Sequence, residues 1–283
     1  MTNLAPLTWR DCVLPDWQVS PRVRALITTR DGGVSGGPYG RWHDGGEQPG
    51  GMNLGLHTGD DPAHVAENRA RVLALAGQAD AAWLEQVHGA QIVRADDVIA
   101  SHAADAGHAP PPPRADASVT DRANAPCVVM VADCLPVLIC DAQGRAVGAA
   151  HAGWRGLAAG IVEQTAARVA ALAGGAADGL CAYLGPAIGP HAFEVGTDVR
   201  DAFLDTAPQS EHDAANRAFV AIDAAPGKYL ADLYALARLR LLRAGVTRVS
   251  GGDTCTATER MRFYSYRRDR VTGRMAAFVW LAD

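Results

Sequence analysis

The centre of the chain, residues 127–150, contains three apolar runs that are separated by short polar interruptions. Residues 127–132 and 135–140 flank Asp133 and Cys134 as unbroken apolar runs, which predicts two buried strands. The sequence Asp-Ala-Gln-Gly at residues 141–144 is typical of a hairpin turn, and residues 145–150 return as a third strand. We therefore expect a buried β-sheet at the centre of the fold.

Strand and helix patterns alternate along the rest of the chain. Strand-like segments lie at residues 26–29, 83–87, 181–184, 246–250 and 275–281, and helix-like segments lie at residues 62–76, 157–172 and 229–244. Such alternation, with antiparallel hairpins mixed in, indicates the α/β class with mixed β-sheets. With 283 residues, 48% of them hydrophobic, the chain is expected to form one large domain with a substantial core.

Two segments have the composition of loops. Residues 32–51 are rich in glycine and are predicted to be mostly an exposed loop, with the alternative that this loop approaches a ligand closely. Residues 101–114 are rich in alanine, histidine and proline, with four consecutive prolines at 110–113, and are predicted to be a mobile surface segment.

Charge and composition restrict the classes of partner and compartment. The formal net charge is −5, which argues against nucleic acid as a partner and favours a small molecule. No stretch approaches the ~18 apolar residues of a membrane helix, and the start of the sequence has no signal-peptide pattern. Six cysteines without a CxxC pair indicate reduced thiols in the cytoplasm. The sequence does not indicate an oligomeric state.

Three reactive side chains, His88, Cys134 and His151, each lie where an apolar strand ends or is interrupted. Polar residues at such places tend to line clefts. Two imidazoles and a thiol would supply three zinc ligands and leave a fourth position open for water or a substrate oxygen. Gln86 and Asp133 are then expected to orient the ligands. Spacing alone slightly favours three unrelated polar residues, because a compact motif such as HExxH is missing.

Two further segments have the chemistry of anion or base binding. Residues 151–156 form a glycine-containing turn into a helix beside Arg155, which predicts either an anion site or an ordinary strand-to-helix turn. Residues 260–270 interleave five arginines with Phe263, Tyr264 and Tyr266. This pattern suits stacking on a base and contacting a phosphate, although a solvated charged face is the commoner explanation.

At these residues the chain resembles the YfiH-like family, first labelled multicopper polyphenol oxidases or laccases and later assigned as zinc-dependent purine nucleoside phosphorylases with adenosine deaminase activity. The matching segments are TTRDGGVS (28–35), NLG (53–55), ENR (67–69), QVHG (86–89), ADCLPV (132–137), HAGWRG (151–156), LGPAIGP (184–190) and FYSYRRD (263–269). They extend over nearly the whole chain. Against relatives, residues 39–52 and 101–114 look like insertions that reshape the rim of the pocket.

The resemblance implies a fold, a site and ligands. The fold would be a layered α/β/β/α arrangement of mixed sheets, with residues 1–283 as a single catalytic domain. His88, Cys134 and His151 would bind zinc, or copper, and carry the reaction. Purine nucleoside and phosphate would be the partners, contacted by the surrounding pocket residues. These expected pocket residues are Asn53, Arg69, Tyr264 and Arg267 by the resemblance, together with Arg155.

The resemblance implies phosphorolysis of adenosine, inosine, guanosine or methylthioadenosine to the free base and ribose 1-phosphate, together with deamination of adenosine. A copper-dependent polyphenol oxidase is the first alternative, although nine histidines without a His-x-His pair are too sparse for a multicopper laccase. A metal-free hydrolase with Cys134 as nucleophile is the second. An editing role in peptidoglycan-precursor synthesis and a non-enzymatic binding module are also open.

Overall fold

A computed structural model of the chain describes residues 6–104 and 110–283. The strands are β1 Cys12–Val13, β2 Val23–Thr28, β3 Asp31–Ser35, β4 Arg41–His43, β5 Gly46–Gln48, β6 Ile92–Arg94, β7 Ala117–Thr120, β8 Cys127–Val131, β9 Leu135–Asp141, β10 Val147–Ala152, β11 Leu180–Leu184, β12 Glu194–Gly196, β13 Phe219–Ala221, β14 Lys228–Ala231, β15 Arg248–Gly251 and β16 Met275–Leu281. The α-helices are α1 Pro62–Ala76, α2 Ala95–Ala104, α3 Trp154–Ala158, α4 Ile161–Ala173, α5 Thr197–Leu204, α6 His212–Arg217, α7 Leu233–Arg243 and α8 Tyr266–Asp269.

Two stacked sheets form the centre of the molecule. One has six strands in the order β15-β11-β9-β10-β7-β6, and the other has four in the order β1-β2-β16-β8. In the larger sheet β9, β10 and β11 pair antiparallel, whereas β15 and β6 pair parallel with their neighbours. Strands β12, β13 and β14 make a separate small sheet. The predicted mixed sheets are confirmed.

Apolar side chains bury both faces of the two large sheets. Leu138 and Val147 meet Ile27 and Val129 in the layer between the sheets. Helices α4 and α7 cover the outer face of the six-stranded sheet, and α1 covers that of the four-stranded sheet. Because both faces are covered, every residue of β8, β9 and β10 is buried, which explains the unbroken apolar runs. The α/β/β/α layering expected for one domain is confirmed.

Some local predictions differ from the structure. The helix expected at 157–172 is divided into α3 and α4 by Gly160, whose φ of 84° cannot continue a helix. The helix expected at 229–244 begins only at Leu233, after strand β14. The strand expected at 83–87 is wrong, since in the described part of the chain this segment makes a single isolated bridge, between Glu85 and Arg114.

The two loop-like segments contain more structure than composition suggested. Residues 32–51 were expected to be an exposed loop, but they include most of β3 and the β4–β5 hairpin. A Cβ atom at Gly33 would lie 2.1 Å from the carbonyl oxygen of Gly51, so glycine allows two backbone segments to touch. In the segment 101–114, the first four residues end α2, and residues 105–109 lie outside the described part. That either segment is an insertion remains a prediction.

None of the helices in residues 6–104 and 110–283 is long and apolar enough to cross a membrane.

Candidate metal centre

The three predicted ligand side chains lie together at one end of the sheets. Cys134 follows the point where the chain passes from β8 in the four-stranded sheet to β9 in the six-stranded sheet. His151 lies near the end of β10 and pairs with Pro136 at the start of β9, which brings it beside the thiol. One ligand atom from each of His88, Cys134 and His151 lies within 4.8 Å of the others. The Cys134 Sγ to His88 Nε2 distance is 3.8 Å.

Asp116 orients two of these ligands, and it was not predicted from the sequence. Its buried carboxylate lies 2.8 Å from His151 Nδ1 and accepts hydrogen bonds from the amides of His88 at 2.9 Å and Gly89 at 2.7 Å. The amides hold the His88 backbone at a φ of 59°, a conformation that non-glycine residues rarely adopt. If Nδ1 of His151 donates to this carboxylate, Nε2 is left unprotonated for a metal.

The electrostatic field of the site favours a thiolate. Burial alone would raise the pKa of Cys134, but the charge of His151 and hydrogen bonds from both histidines lower it to about 6. Burial would lower the pKa of His151, but the Cys134 thiolate and the Asp116 carboxylate raise it to about 9. Without a metal, Cys134 and His151 therefore form a thiolate–imidazolium pair near neutral pH, and a metal ion would displace the imidazolium proton.

A cavity of about 400 Å³ opens onto the three side chains. Tyr266, which is half exposed, and Arg274 also line it. Burial lowers the pKa of Arg274, while the negative charge of Cys134 opposes that shift. The cavity therefore combines three metal-binding side chains with a partly desolvated arginine cation.

A second cavity of about 450 Å³ adjoins the first, because His57 and Met130 line both. In its wall the Arg69 guanidinium lies 3.8 Å from the ring centre of Trp83 and donates through Nε to the Leu54 carbonyl at 3.0 Å. Burial lowers the pKa of Arg69 to about 10. The linings of the two cavities combine apolar side chains with the cations Arg69 and Arg274 and with the carboxylates Asp80 and Glu85.

The remaining predicted pocket residues lie at varying depth. Asn53 and Tyr264 are buried beneath the site, where Asn53 Oδ1 accepts from the Arg274 amide at 2.8 Å and the Tyr264 hydroxyl donates to the Tyr39 carbonyl. Arg155 extends over the Trp154 ring, with 4.2 Å from Cζ to the ring centre. Arg267 donates its side chain to the Glu194 carbonyl at 3.0 Å. Whether these residues contact a substrate remains a prediction.

Gln86 and Asp133 support the backbone near the ligands instead of orienting the ligand side chains. Gln86 makes two hydrogen bonds to the backbone of Met130, at 2.7 and 2.8 Å. Asp133 accepts from the Thr256 hydroxyl and from the Arg267 amide, both at 2.6 Å. Asp133 therefore connects the segments of Thr256 and Arg267 to the point where the chain leaves β8, directly before Cys134.

Sequence reasoning missed Asp116, Arg274 and His57 as residues of the site, whereas it named Tyr266 among the aromatic residues of 260–270 that suit stacking on a base. Asp116 did leave a signal, because it is an acidic residue between Ala115 and Ala117, directly before the buried strand β7. Tyr266 lies inside the last matching segment, FYSYRRD (263–269), whereas Arg274 lies outside it, after its C-terminal end. Nothing in the sequence distinguished Arg274 from the other arginines near the C-terminus.

Comparison with known proteins identifies relatives over almost the full length. The model of a protein family described as "Multi-copper polyphenol oxidoreductase laccase" matches residues 24–282. A purine nucleoside phosphorylase of Pseudomonas aeruginosa is 47% identical over 269 residues, which cover 95% of this chain and 98% of that protein. The purine nucleoside phosphorylase YfiH of Escherichia coli is 44% identical over 270 residues, with the same coverage of both chains.

Solved structures share the fold. The crystal structure of a Neisseria meningitidis protein of the DUF152 family is similar with a TM-score of 0.83 and 46% identity, covering 96% of this chain and 100% of that one. YlmD of Geobacillus stearothermophilus has a TM-score of 0.84 and 31% identity, covering 99% of each chain.

Proposed function

This chain belongs to the YfiH-like family, and on that premise we propose that it is a zinc-dependent purine nucleoside phosphorylase. The observation that carries the proposal is the convergence of His88, Cys134 and His151 on a cavity that also contains the Arg274 cation. The reaction would use phosphate to displace the purine from the ribose of adenosine, inosine, guanosine or methylthioadenosine.

The three side chains fit a zinc ion by their donor chemistry. Two imidazole nitrogens and a thiolate are ligands that zinc prefers, and their ligand atoms lie close enough to share one ion. A set of three protein ligands leaves a coordination position open, where bound zinc supplies Lewis acidity toward water or a substrate oxygen. Thiolate and imidazole also bind copper, so copper is the second candidate metal.

Arg274 is the residue that we expect to hold phosphate. Arg274 lines the same cavity as the three metal-binding side chains. Its Nη1 donates to the carbonyls of Thr272 and Gly273, both at 3.1 Å. Two carbonyls neutralise little of a buried positive charge, so a phosphate dianion would gain a strong, charge-assisted partner. The arginine would orient one phosphate oxygen toward the anomeric carbon of the ribose.

The adjoining cavity is the place that we propose for the rest of the nucleoside. Trp83 fixes the plane of the Arg69 guanidinium, and the opposite face of that group is suited to stacking on a purine. The half-exposed ring of Tyr266 offers a second stacking surface at the rim. Burial and the charges of Arg274 and Arg69 lower the pKa of His57, so a neutral imidazole lies where the two cavities join.

Deamination of adenosine is a second activity that the same site could support. It would require the purine C6 position, and not the ribose, to face His88, Cys134 and His151. Water would then replace the amino group and ammonia would leave. The two orientations differ by a rotation of the nucleoside within the two adjoining cavities. We therefore propose that one centre supports both activities.

A multicopper oxidase is not favoured by the ligands. Within residues 6–104 and 110–283, His88, Cys134 and His151 form the single cluster of potential metal ligands, whereas a multicopper laccase needs several histidine-rich sites.

Nothing in the cavity specifically favours a peptidoglycan-precursor editing role. A metal-free cysteine hydrolase would use the lowered pKa of Cys134, and metal analysis separates it from a zinc enzyme. We expect a cytoplasmic location, where the six free cysteines stay reduced.

The test is an assay of metal-analysed protein with inosine and phosphate. We expect phosphate-dependent formation of hypoxanthine and ribose 1-phosphate with about one zinc per chain. Cys134→Ala should lose both the metal and the activity. Arg274→Gln should retain the metal and raise KM for phosphate by roughly 10- to 100-fold, as expected for a lost charge-assisted hydrogen bond.

Arg262→Gln is the matched control, because Arg262 is an exposed arginine of the same region that pairs with Glu259 at 2.8 Å. It should leave KM for phosphate unchanged. If folded, zinc-loaded protein makes no phosphate-dependent product from inosine, guanosine or adenosine, the phosphorylase proposal is wrong.

A further inference from the structure

Two cysteines outside the metal centre lie directly opposite each other in the six-stranded sheet. Cys140 near the end of β9 pairs with Cys181 of β11. Both side chains point into the apolar layer between the two sheets, where Cys140 is 0% exposed and Cys181 is 4% exposed. β9 is seven residues long, and Cys134 precedes its first residue, so the pair lies at the opposite end of the strand from the metal centre.

The register of the sheet sets the distance between the two backbones. Gly185 N donates to Pro136 O at 2.9 Å, and Ala142 N donates to Gly179 O at 3.0 Å. In this antiparallel register hydrogen-bonded residue pairs recur every second residue, and Cys181 with Cys140 lies between these two pairs at that spacing. Cys140 and Cys181 are therefore a hydrogen-bonded antiparallel pair, with Cα atoms about 5.5 Å apart. A disulfide spans Cα separations of about 4.4 to 6.8 Å, so the Cα atoms already lie within its range, and a small local adjustment of the two strands brings the Cβ atoms to about 4.5 Å or less.

The two thiols differ in access and in charge. Cys181 lines a surface cavity of about 290 Å³ together with Arg248, its partner on β15. A hydrogen bond from Cys140 and the nearby positive charge of Arg248 lower the pKa of Cys181. The same hydrogen bond, burial and the neighbouring Asp141 carboxylate raise the pKa of Cys140. Both thiols are buried, but Cys181 is the more acidic of the two and the one that lines the surface cavity.

We propose that Cys140 and Cys181 form a peroxide-oxidisable dithiol that converts to an intrachain disulfide. The Cys181 thiolate attacks one peroxide oxygen, which forms an S–O bond, breaks the O–O bond and releases hydroxide. The sulfur of Cys140 then attacks the Cys181 sulfenic acid, which forms the S–S bond and breaks the S–O bond. The thiol proton leaves with the departing oxygen as water. Two thiols lose two electrons, and hydrogen peroxide is reduced to two waters.

The experiment treats the full, metal-loaded chain with hydrogen peroxide, then denatures it, alkylates the free thiols and maps the peptides by mass spectrometry. The expected result is one peptide pair joined through Cys140 and Cys181, with a mass about 2 Da below that of the reduced pair. Met261, whose side chain is 57% exposed, should become a sulfoxide and reports that the oxidant has acted.

Single variants separate the roles of the two thiols. Cys140→Ala should leave Cys181 as a sulfenic acid that a cyclic diketone captures, whereas Cys181→Ala should leave Cys140 reduced. Cys127→Ala is the matched control, because Cys127 is fully buried in the same layer and pairs with Val279, so the disulfide should still form. Recovery of alkylated Cys140 and Cys181 from wild-type protein whose Met261 is oxidised would overturn the proposal, and so would a bond from either to another cysteine.

Discussion

A single carboxylate determines the geometry of the metal centre at the scale of the residue. Asp116 accepts from the His151 ring and from the amides of residues 87–89, so it fixes one ligand by its side chain and another by its backbone. Burial alone would raise the pKa of Asp116, but the hydrogen bonds from His151 and the Gly89 amide lower it overall. The carboxylate therefore stays ionised and adds negative charge behind the ligands.

Asp116→Asn tests this role. The asparagine amide keeps the volume but places an N–H donor toward backbone N–H groups, so the His88 turn and the His151 ring should both lose their orientation. We expect zinc affinity to fall by roughly 10- to 100-fold, measured by competition with a chelating dye. Asp141→Asn is the control, because Asp141 is equally buried but pairs with Arg145 at 2.7 Å. Equal zinc affinity in wild type and Asp116→Asn would contradict the orienting role.

The cysteines should differ in their reactivity with iodoacetamide once the metal has been removed. The pKa of Cys134 is lowered to about 6, so its thiolate fraction rises through that pH and is nearly complete at neutral pH. Burial raises the pKa values of Cys12 and Cys127 to about 12, with Asp11 adding to the effect at Cys12, so both stay protonated. Peptide mapping after brief alkylation should find Cys134 modified first.

Adding zinc should protect Cys134, since the metal would occupy the thiolate. A Cys134 alkylation rate that still rises steeply above about pH 8, as for an ordinary thiol, would show that the histidines do not stabilise the thiolate.

Individual elements were predictable from sequence where a local rule decides the structure. Helix α1 begins after Asp61, whose carboxylate accepts from the Ala63 amide at 2.8 Å, and ends at Gly77 in the left-handed conformation. Strands β8, β9 and β10 follow from their unbroken apolar runs, because the two layers that cover them exclude polar residues. The positions of Cys134 and His151 relative to such strands were therefore visible in the sequence, whereas the strand expected directly before His88 is not formed.

Other elements depend on partners that are distant in the chain. Residues 229–231 were expected to begin a helix, but as part of β14 they pair with both β12 and β13 and so form a strand. Asp116 and Arg274 reach the metal centre from segments that are far from its ligands in sequence, and only the sheet order brings them there. A single sequence contains no signal of that order, which is why these two residues were missed.

The turn between β10 and α3 packs closely against the metal-binding side chains, so it has little room for a side chain larger than glycine. A Cβ atom at Gly153 would lie 3.0 Å from Cys134 Sγ and 3.1 Å from His88 Cδ2. Gly153→Ala should therefore displace these ligands and reduce zinc affinity while the fold is kept. Circular dichroism and metal titration measure the two effects separately.

Gly36→Ala is the matched control, because a Cβ atom there would meet no atom within 4 Å. It should leave zinc affinity unchanged. If Gly153→Ala binds zinc as tightly as the Gly36 variant, the close approach of this turn to the ligands does not matter for the site.

In the whole molecule, the metal centre joins parts of the chain that belong to different layers. Cys134 lies at the crossing between the two sheets, His151 is in the six-stranded sheet, and His88 is in an irregular segment that precedes β6. At the same crossing, Asp133 has a φ of 91° and bonds the segments that contain Thr256 and Arg267. A metal that binds all three ligands would therefore stabilise the stacking of the sheets and not only the local turn.

Removal of the metal should then lower the melting temperature of the entire domain. A ligand present at about 100 times its Kd stabilises the folded state by about 2.7 kcal/mol, which corresponds to roughly 5 °C for a chain of this size. Calorimetry with and without a chelator measures the shift, and Cys134→Ala should abolish it. Leu138→Ala, in the layer between the sheets, should cost about 2 to 5 kcal/mol with or without zinc while the zinc-dependent shift persists. Zinc binding is demonstrated separately. If the wild-type melting temperature is then the same with and without the chelator, the unfolded chain binds the metal as well as the folded chain does. In that case the metal centre does not link the layers.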